Sequence, residues 1–292
     1  MQMEKAISML AAMVSAMVLA SGVAWAATVR CEGGECRGTT KNDEIQGTDR
    51  RDIIYGLKGR DKLYGNLGRD DLYGSDGWDR AEGSAGPDKL SGGRGSDRLL
   101  GGEGSDVLSG GYNGTLAGWP WGSDRLWGGE GSDSLNGGPD DDYLRGEGGD
   151  DDLFGGFDLA SDTLDGGPGN DHPDGGPFSD IYLFREDWGK DILSDHRDPL
   201  DLYDQPTFDV TTDLVADLTP GPGPEVASGE NTVDWERAGD VDQIVFGSGD
   251  DHIDAANGNY ESINCGDGND EVVAYDAGRD WINGDCEVQH PQ

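Results

Sequence analysis

The sequence is poor in basic residues and poor in apolar ones. Lys and Arg total 21 against 60 Asp and Glu, which gives a formal net charge of -39. This charge excludes nucleic acid as a partner, because its phosphates would be repelled. Hydrophobic residues make up only 34% of the chain, so by composition alone it reads as disordered. Something must neutralise the carboxylates for the chain to fold, and divalent cations that prefer oxygen ligands are the obvious candidates.

Long apolar runs are absent except at the amino terminus. Lys5 provides a short basic start, an apolar run covers Ala6 to Ala20, and Ala24-Trp25-Ala26 fits an A-x-A cleavage site. We therefore predict that residues 1–26 are a signal peptide and that the protein is secreted, with a mature chain starting at Ala27. The run is too short for a bilayer span and no other stretch approaches one. We expect no membrane span, with an uncleaved anchor as the alternative.

Cysteine is scarce, with four residues in the chain, Cys31, Cys36, Cys265 and Cys286. An even number of cysteines in an exported chain predicts disulfides. Three pairings are available, and proximity in sequence favours Cys31 with Cys36 and Cys265 with Cys286. A four-cysteine zinc site is the competing interpretation, but it would have to join the two ends of the chain.

Sequence signatures of enzymes are also lacking. The chain contains no H-E-x-x-H, no G-x-S-x-G and no phosphate-binding loop with its lysine. Carboxylate pairs carry no information in a chain this acidic. His172 and His252 both fall at the outward-facing seventh position of the repeat described next. We predict that the protein is not an enzyme.

Glycine and aspartate are abundant, and they recur in a nine-residue unit. Sixteen units run from Gly38 to Leu183, and the first position is glycine in fifteen of them. Position six is aspartate in fifteen units, and position eight is apolar in fifteen, usually leucine. The frame is clearest from Gly56, in GLKGRDKLY, GNLGRDDLY and GSDGWDRAE, whereas the unit at Gly155 carries two extra residues.

Each position of the unit has a physical role. Glycines at positions one, two and four allow a tight turn whose carbonyl oxygens point inward. The alternation in Lys62-Leu63-Tyr64 is that of a half-buried strand. A unit is thus one turn and one short strand, two units make a coil, and stacked coils place Asp61 beneath Asp79 at roughly 4.8 Å. Carboxylates this close repel one another when bare, but with glycine carbonyls between them they form an oxygen cage sized for calcium.

These units resemble the G-G-x-G-x-D-x-U-x nonapeptides of the repeats-in-toxin (RTX), or hemolysin-type calcium-binding, family. The resemblance covers Gly38 to Leu183. It implies an all-β fold, a parallel β-roll that is a right-handed β-helix solenoid of nine-residue half-turns, with several Ca²⁺ ions between adjacent turns. It also implies that the ligands are glycine carbonyls and position-six aspartates. With two aspartates of weaker C-terminal units, the expected metal ligands are Asp52, Asp61, Asp70, Asp79, Asp88, Asp97, Asp106, Asp124, Asp133, Asp142, Asp151, Asp162, Asp171, Asp180, Asp251 and Asp270.

The repeats also divide the mature chain. We assign residues 27–205 to the roll, whose first two units have Lys41 and Arg50 in place of the position-four glycine and are expected to form a cap. Residues 206–238 combine β-branched alternation with the breaker TPGPGPE, which predicts a strand or two and a loop or linker. Residues 239–292 hold weaker units and are expected to form a short second roll. The sequence leaves open whether that roll continues the first stack.

A second hypothesis is that the calcium-loaded roll is an extracellular binding platform for a glycan, a cell wall or a protein partner. Lys62, Arg80 and Arg98 share position seven of units eighteen residues apart, which predicts a basic column suited to an anionic polymer. The alternative is that they balance neighbouring aspartates. Trp119 and Trp121 lie in a stretch that interrupts the array and could stack on sugar rings. The alternative there is that this insertion packs on the roll.

Overall fold

Every element of the described chain is a β-strand. The computed structural model describes residues 28–111, 122–157, 160–177, 180–185, 188–193, 205–209, 215–217, 226–228, 231–235, 243–246, 251–255, 262–265, 270–275, 281–283 and 286–288. The first strands are β1 Thr28–Arg30, β2 Gly34–Arg37, β3 Glu44–Gln46, β4 Asp52–Gly59, β5 Lys62–Leu67, β6 Asp71–Gly77, β7 Arg80–Ala85, β8 Lys89–Arg94, β9 Arg98–Glu103, β10 Val107–Gly111, β11 Arg125–Glu130, β12 Ser134–Asn136, β13 Tyr143–Gly148 and β14 Asp152–Phe154. They are followed by β15 Thr163–Asp165, β16 His172–Asp174, β17 Ile181–Arg185, β18 Lys190–Leu193, β19 Gln205–Asp209, β20 Val215–Asp217, β21 Val226–Ser228, β22 Asn231–Trp235, β23 Gln243–Val245, β24 His252–Ala255, β25 Ser262–Asn264, β26 Glu271–Tyr275, β27 Trp281–Asn283 and β28 Glu287–Val288.

Strands pair in parallel with the strand two places along the chain, which is the pattern of a solenoid with two strands in each coil. The odd-numbered strands β1 to β17 form one sheet, which we call the first sheet. The even-numbered strands β2 to β16 form the second sheet, of eight strands. The predicted all-β parallel β-roll is therefore confirmed.

The first sheet continues past the regular repeats. Strands β19, β23, β25 and β27 follow β17 in the same sheet, which has thirteen strands in all. A third sheet of seven strands holds β18, β20, β21, β22, β24, β26 and β28, with β21 antiparallel to both of its neighbours. C-terminal strands thus extend the first sheet.

The core is a narrow column of position-eight side chains. Leu63 pairs with Ala81 and Ala81 with Leu99 in successive coils of the first sheet. The outward neighbours of these residues are exposed or half-buried, because side chains alternate across a strand. The buried column consists of Ile45, Ile54, Leu63, Leu72, Ala81, Leu90, Leu99, Leu108, Leu126, Leu135, Leu144, Leu153 and Leu164.

The column ends on larger side chains. Tyr182 takes the position-eight place in β17, is fully buried, and accepts a hydrogen bond at its hydroxyl from the Gly175 amide at 2.9 Å. Phe184 and Trp188 pack edge to face beside it, with ring centroids 6.2 Å apart. The aromatic side chains fill a wider space than one leucine per strand can fill.

Both predicted disulfides are present. Cys31 is bonded to Cys36 and Cys265 to Cys286, with Cα atoms 5.8 and 5.6 Å apart. The predicted pairing is confirmed, and each bond closes a short loop at one end of the repeat array. Within the described ranges, no helix is long and apolar enough to cross a membrane.

Candidate functional site

The position-six aspartates lie in the interior of the turns. Each is at most 3% exposed, although each carries a carboxyl group. All sixteen aspartates that the sequence analysis selected are buried in this way, together with Asp43 and Asp191. A buried carboxylate is costly unless its oxygens have partners, so the contacts of each oxygen decide what the turns can bind.

From Asp61 and Asp70 onward, one carboxylate oxygen, Oδ1, links each aspartate to the coil before it. The amide of Asp61 donates to Oδ1 of Asp79 at 2.8 Å, and the amide of Asp79 donates to Oδ1 of Asp97 at 2.7 Å. The bonds form two ladders, one on each side of the solenoid. Their members are Asp43, Asp61, Asp79, Asp97, Asp124, Asp142, Asp162 and Asp180 on one side, and Asp52, Asp70, Asp88, Asp106, Asp133, Asp151, Asp171 and Asp191 on the other.

The ladder tolerates irregular spacing. Asp97 and Asp124 are 27 residues apart in the chain rather than 18, yet their hydrogen bond is 2.7 Å long. The weaker C-terminal units repeat the contact, since the Asp251 amide donates to Oδ1 of Asp270 at 3.0 Å. The geometry at the two C-terminal aspartates is therefore that of the main array.

In many of these aspartates the other carboxylate oxygen, Oδ2, has no hydrogen-bond donor. Among the described residues, it is buried without a hydrogen-bond donor in Asp61, Asp70, Asp79, Asp88, Asp97, Asp106, Asp124, Asp133, Asp151, Asp171 and Asp270. A buried oxygen without a donor costs roughly 1–3 kcal/mol, and more when it is charged. These oxygens therefore require a proton or a cation.

Several of these aspartates have a raised pKa. Burial raises the pKa of Asp61 to about 6, of Asp79 to about 7, of Asp97 to about 8 and of Asp124 to about 9, against an ordinary value of 3.8. The hydrogen bond that Oδ1 accepts from the backbone amide of the preceding ladder aspartate lowers each pKa. Electrostatic repulsion from that same aspartate raises it. Without a cation, burial therefore favours the protonated form of the most strongly shifted groups, Asp97 and Asp124, at neutral pH.

Backbone oxygens approach the same carboxylates because the turn glycines lack side chains. A Cβ atom at Gly74 would lie 2.6 Å from Oδ2 of Asp79 and 2.7 Å from the carbonyl oxygen of Gly92. A Cβ atom at Gly77 would collide with the carbonyl of Gly59 and lie 2.8 Å from Oδ1 of Asp79. Carboxylate and carbonyl oxygens are the ligands that calcium prefers.

Side chains alone do not build a metal site. In the part of the chain that the structure describes, no group of three or more His, Cys, Asp or Glu side chains is arranged to hold a metal ion. The oxygen-rich spaces instead combine the aspartates with carbonyls of neighbouring turns. All of the candidate ligand atoms are oxygens. They therefore fit a hard divalent cation and do not fit zinc, which favours nitrogen and sulfur ligands.

In the first two units Oδ2 of the aspartate does have hydrogen-bond donors, although Oδ1 of Asp52 is buried without one. The Thr39 amide and hydroxyl both donate to Oδ2 of Asp43, at 2.5 and 2.8 Å. Thr48 does the same for Asp52, at 2.6 and 2.8 Å. The sequence analysis did not identify these contacts, although threonine at position two of both units was a visible signal.

Two further buried acids were missed. Asp191 extends one ladder by a rung, because its Oδ1 accepts from the Asp171 amide at 2.9 Å, and burial raises its pKa to about 8. Asp165 is 1% exposed and belongs to neither ladder. It contacts Arg185 and lies 3.4 Å from Nε of Arg145, so two arginines neutralise it.

The candidate ligand-contact residues fall into two groups. Lys62, Arg80 and Arg98 are exposed and adjacent in register on the first sheet, as the sequence predicted. Trp119 and Trp121 lie outside the described residues. His172 is exposed, as its position in the unit predicted.

The repeat is that of a known protein family. A model of the RTX calcium-binding nonapeptide repeat family matches the chain in four copies, at residues 37–72, 73–108, 127–158 and 160–182. No curated protein matches the chain. The matched residues contain most of the two aspartate ladders and most of the leucine column, whereas Asp124, Leu126 and Asp191 lie outside the matched ranges. Through residues 37–182, the chain belongs to the RTX calcium-binding nonapeptide repeat family.

Proposed function

We propose that this is a secreted protein that binds several Ca²⁺ ions between its stacked turns and folds when they bind. The observation that carries the proposal is the double ladder of buried aspartates, in which Oδ2 has no donor in Asp61, Asp70, Asp79, Asp88, Asp97, Asp106, Asp124, Asp133, Asp151 and Asp171. The proposed ligands are the sixteen position-six aspartates named from the sequence, from Asp52 to Asp180 with Asp251 and Asp270, together with carbonyl oxygens of the turns.

Calcium at these turns would supply the positive charge that the buried carboxylates lack. The chain's own residues do the rest. The amide of each ladder aspartate holds Oδ1 of the next, which fixes the carboxyl plane and leaves Oδ2 for the cation. The turn glycines let carbonyl oxygens approach from adjacent coils.

Calcium dependence of folding follows from the energetics of the fold. The leucine column is one side chain wide in each sheet, so apolar burial is small for a chain of this size. The net charge of -39 opposes compaction. A ligand that binds the folded state and not the unfolded one adds its binding free energy to stability.

The first coil is proposed to differ from the others. Asp43 and Asp52 already accept hydrogen bonds from threonine at Oδ2, so that oxygen depends less on a cation there. Lys41 and Arg50 occupy the position-four places of the same two units. This supports a cap at the amino end and makes Asp52 the weakest of the sixteen proposed ligands.

The remaining assignments rest on the sequence. The two disulfides support an oxidising compartment, in keeping with export directed by residues 1–26. We propose that the roll occupies residues 27–205 and that residues 239–292 form a short second roll of weaker repeats. Residues 206–238, a strand or two and a loop or linker, connect the two. The proposed role is binding without catalysis.

The test compares calcium titrations of three forms of the mature protein. Far-ultraviolet circular dichroism should show little order in chelator and β-structure in millimolar calcium, the range of weak extracellular sites. In Asp79→Asn/Asp97→Asn, two adjacent rungs lose charge while keeping their shape, so the calcium midpoint should rise several-fold. The matched control is Glu103→Gln/Glu130→Gln, which removes two exposed charges that are also adjacent in register.

The control should titrate like the parent protein. An unchanged spectrum on adding calcium would contradict calcium-dependent folding. Equal midpoints for the two double variants would show that the aspartates are not the ligands.

A further inference from the structure

A row of four basic side chains runs along the outer face of the first sheet. Lys62 pairs with Arg80, Arg80 with Arg98 and Arg98 with Arg125 in consecutive strands. All four are exposed. At the strand spacing, the row is roughly 14 Å long. We call these four residues the basic row.

Nearby acids neutralise the basic row only in part, because Glu44 is opposite Lys62 in register but forms no salt bridge with it among the described residues. Its one salt bridge within the described residues joins Arg80 to Glu82 at 3.3 Å. Elsewhere on the roll basic side chains do pair with acids in the next coil, as Arg51 does with Asp71 at 2.7 Å. The corresponding row of the second sheet mixes Asp71 and Lys89 with uncharged residues. The basic row is therefore specific to one face.

Like charges opposite each other on adjacent strands destabilise a sheet. Four consecutive cations are thus unfavourable for the fold in isolation, and an anion lying along them would relieve the repulsion. Because the cations are in a straight line at even spacing, the matching ligand is a linear polymer with regularly spaced negative charges.

A second row, two residues further along each strand, adds ring surfaces. It holds Tyr64, Glu82, Leu100 and Trp127 in that order, each half-buried, so the rings of Tyr64 and Trp127 stand at its two ends and Glu82 is its one acid. The Arg98 guanidinium lies over the Trp127 ring at 4.5 Å from its centroid, which holds both side chains in place. Amphipathic rings beside cations suit sugar rings that carry acidic groups, since the rings contact the apolar faces and the guanidinium forks bind carboxylates.

We propose that the basic row and its flanking rings bind a linear acidic polysaccharide with one carboxylate on each sugar. The chain lies along the solenoid axis, with successive carboxylates on successive strands. A polymer with denser charge, such as nucleic acid, is disfavoured because the remainder of the protein is strongly negative. The proposal rests on calcium binding only in so far as calcium holds the fold.

The test measures binding of galacturonic acid oligomers, long enough to span the four strands, by titration calorimetry at saturating calcium. The variant Arg80→Gln/Arg98→Gln/Arg125→Gln should bind roughly 10- to 100-fold more weakly, because three exposed charge contacts are lost. The matched control, Lys58→Gln/Arg69→Gln/Lys89→Gln, removes the same charge from exposed positions outside the basic row and should bind like the parent protein. Carboxyl-reduced oligomers of the same length should not bind.

The outcomes separate this proposal from calcium binding. Circular dichroism in the same buffers reports whether the roll is folded. A folded parent protein that does not bind the oligomers, or loses equal affinity in both variants, would overturn the polysaccharide proposal and leave calcium binding intact. Equal binding of a single-stranded DNA oligomer would show general attraction to anions and also overturn it. A chain that stays unfolded in calcium would contradict both proposals.

Discussion

Gly74 and Ser75 are adjacent in one turn, and we predict that substitutions at them have opposite effects on stability. Gly74→Ala places a Cβ atom 2.6 Å from Oδ2 of Asp79 and 2.7 Å from the Gly92 carbonyl oxygen. Neither oxygen can move away freely, because one belongs to the ladder and the other to the backbone of the next coil. We expect a loss of about 2–3 kcal/mol, typical of overpacking at a rigid contact.

Ser75→Gly should instead stabilise the fold. Ser75 has a φ of 86°, a left-handed conformation that costs a residue with a Cβ about 1–2 kcal/mol. Glycine removes that cost but loses about 0.5–1 kcal/mol more backbone entropy on folding. The net gain is about 0.5–1 kcal/mol.

Urea unfolding of the mature protein at saturating calcium, followed by circular dichroism, measures both changes. Asn66→Gly is the control, because asparagine tolerates a φ of 79° and its side-chain amide donates to the Gly47 carbonyl at 2.9 Å. That variant should show no gain. The reasoning is refuted if Gly74→Ala is as stable as the parent protein, or if Ser75→Gly is less stable than it.

Three further predictions concern pH, the cap and a disulfide. In chelator, protonation of Asp97 and Asp124 should stabilise the metal-free fold, because burial raises the pKa of Asp97 to about 8 and of Asp124 to about 9. This stabilisation is complete below about pH 4 and is lost as the pH rises through 8 to 9. Circular dichroism should therefore show more β-structure at about pH 5 than at about pH 9, and the reverse order would contradict the burial of these groups. Thr48→Val removes a hydroxyl donor to Asp52 and should destabilise the calcium-loaded protein by about 1–2 kcal/mol in urea unfolding, with Thr48→Ser as the control that restores it. Replacing Cys265 and Cys286 together by serine should lower the calcium-loaded melting temperature by several degrees, consistent with a loss of about 2–4 kcal/mol, and an unchanged value would show that the loop is held by other contacts.

The regular coils could be predicted because a single period fixes them. Leucine at position eight and aspartate at position six recur at nine-residue spacing, so the strand at Lys62–Leu67 and its pairing with the strand eighteen residues on follow directly. The leucine column follows from the same period. The pairing of the cysteines was favoured by proximity, which suffices when each pair closes a short loop.

The C-terminal strands could not be ordered in the same way. Insertions break the period after Leu183, so spacing no longer says which strand lies above which. The antiparallel strand Val226–Ser228 and the return of Gln243–Val245 to the first sheet depend on contacts between distant segments. No local pattern encodes those contacts.

Details of the site were also beyond the pattern. The repeat shows that Asp79 faces inward, but not that one oxygen bonds the ladder while the other has no donor. That division depends on the side-chain rotamer and on the coil before it. Asp165 stands at an outward position of its unit, and its burial arises from Arg145 and Arg185 in neighbouring coils.

The threonine contacts of the first coil have a consequence for the order of assembly. At Asp43 and Asp52, a hydroxyl and an amide from the same turn donate to Oδ2, the oxygen that has no donor in Asp61 and Asp70 of the next coil. We therefore expect the first coil to form at a lower calcium concentration than the later coils and to present finished strand edges to the coil that follows. Folding that proceeds from the first coil would avoid the unfavourable step of bringing two turns with ionised, mutually repelling aspartates together. Each later ion would then bind against a coil that is already folded.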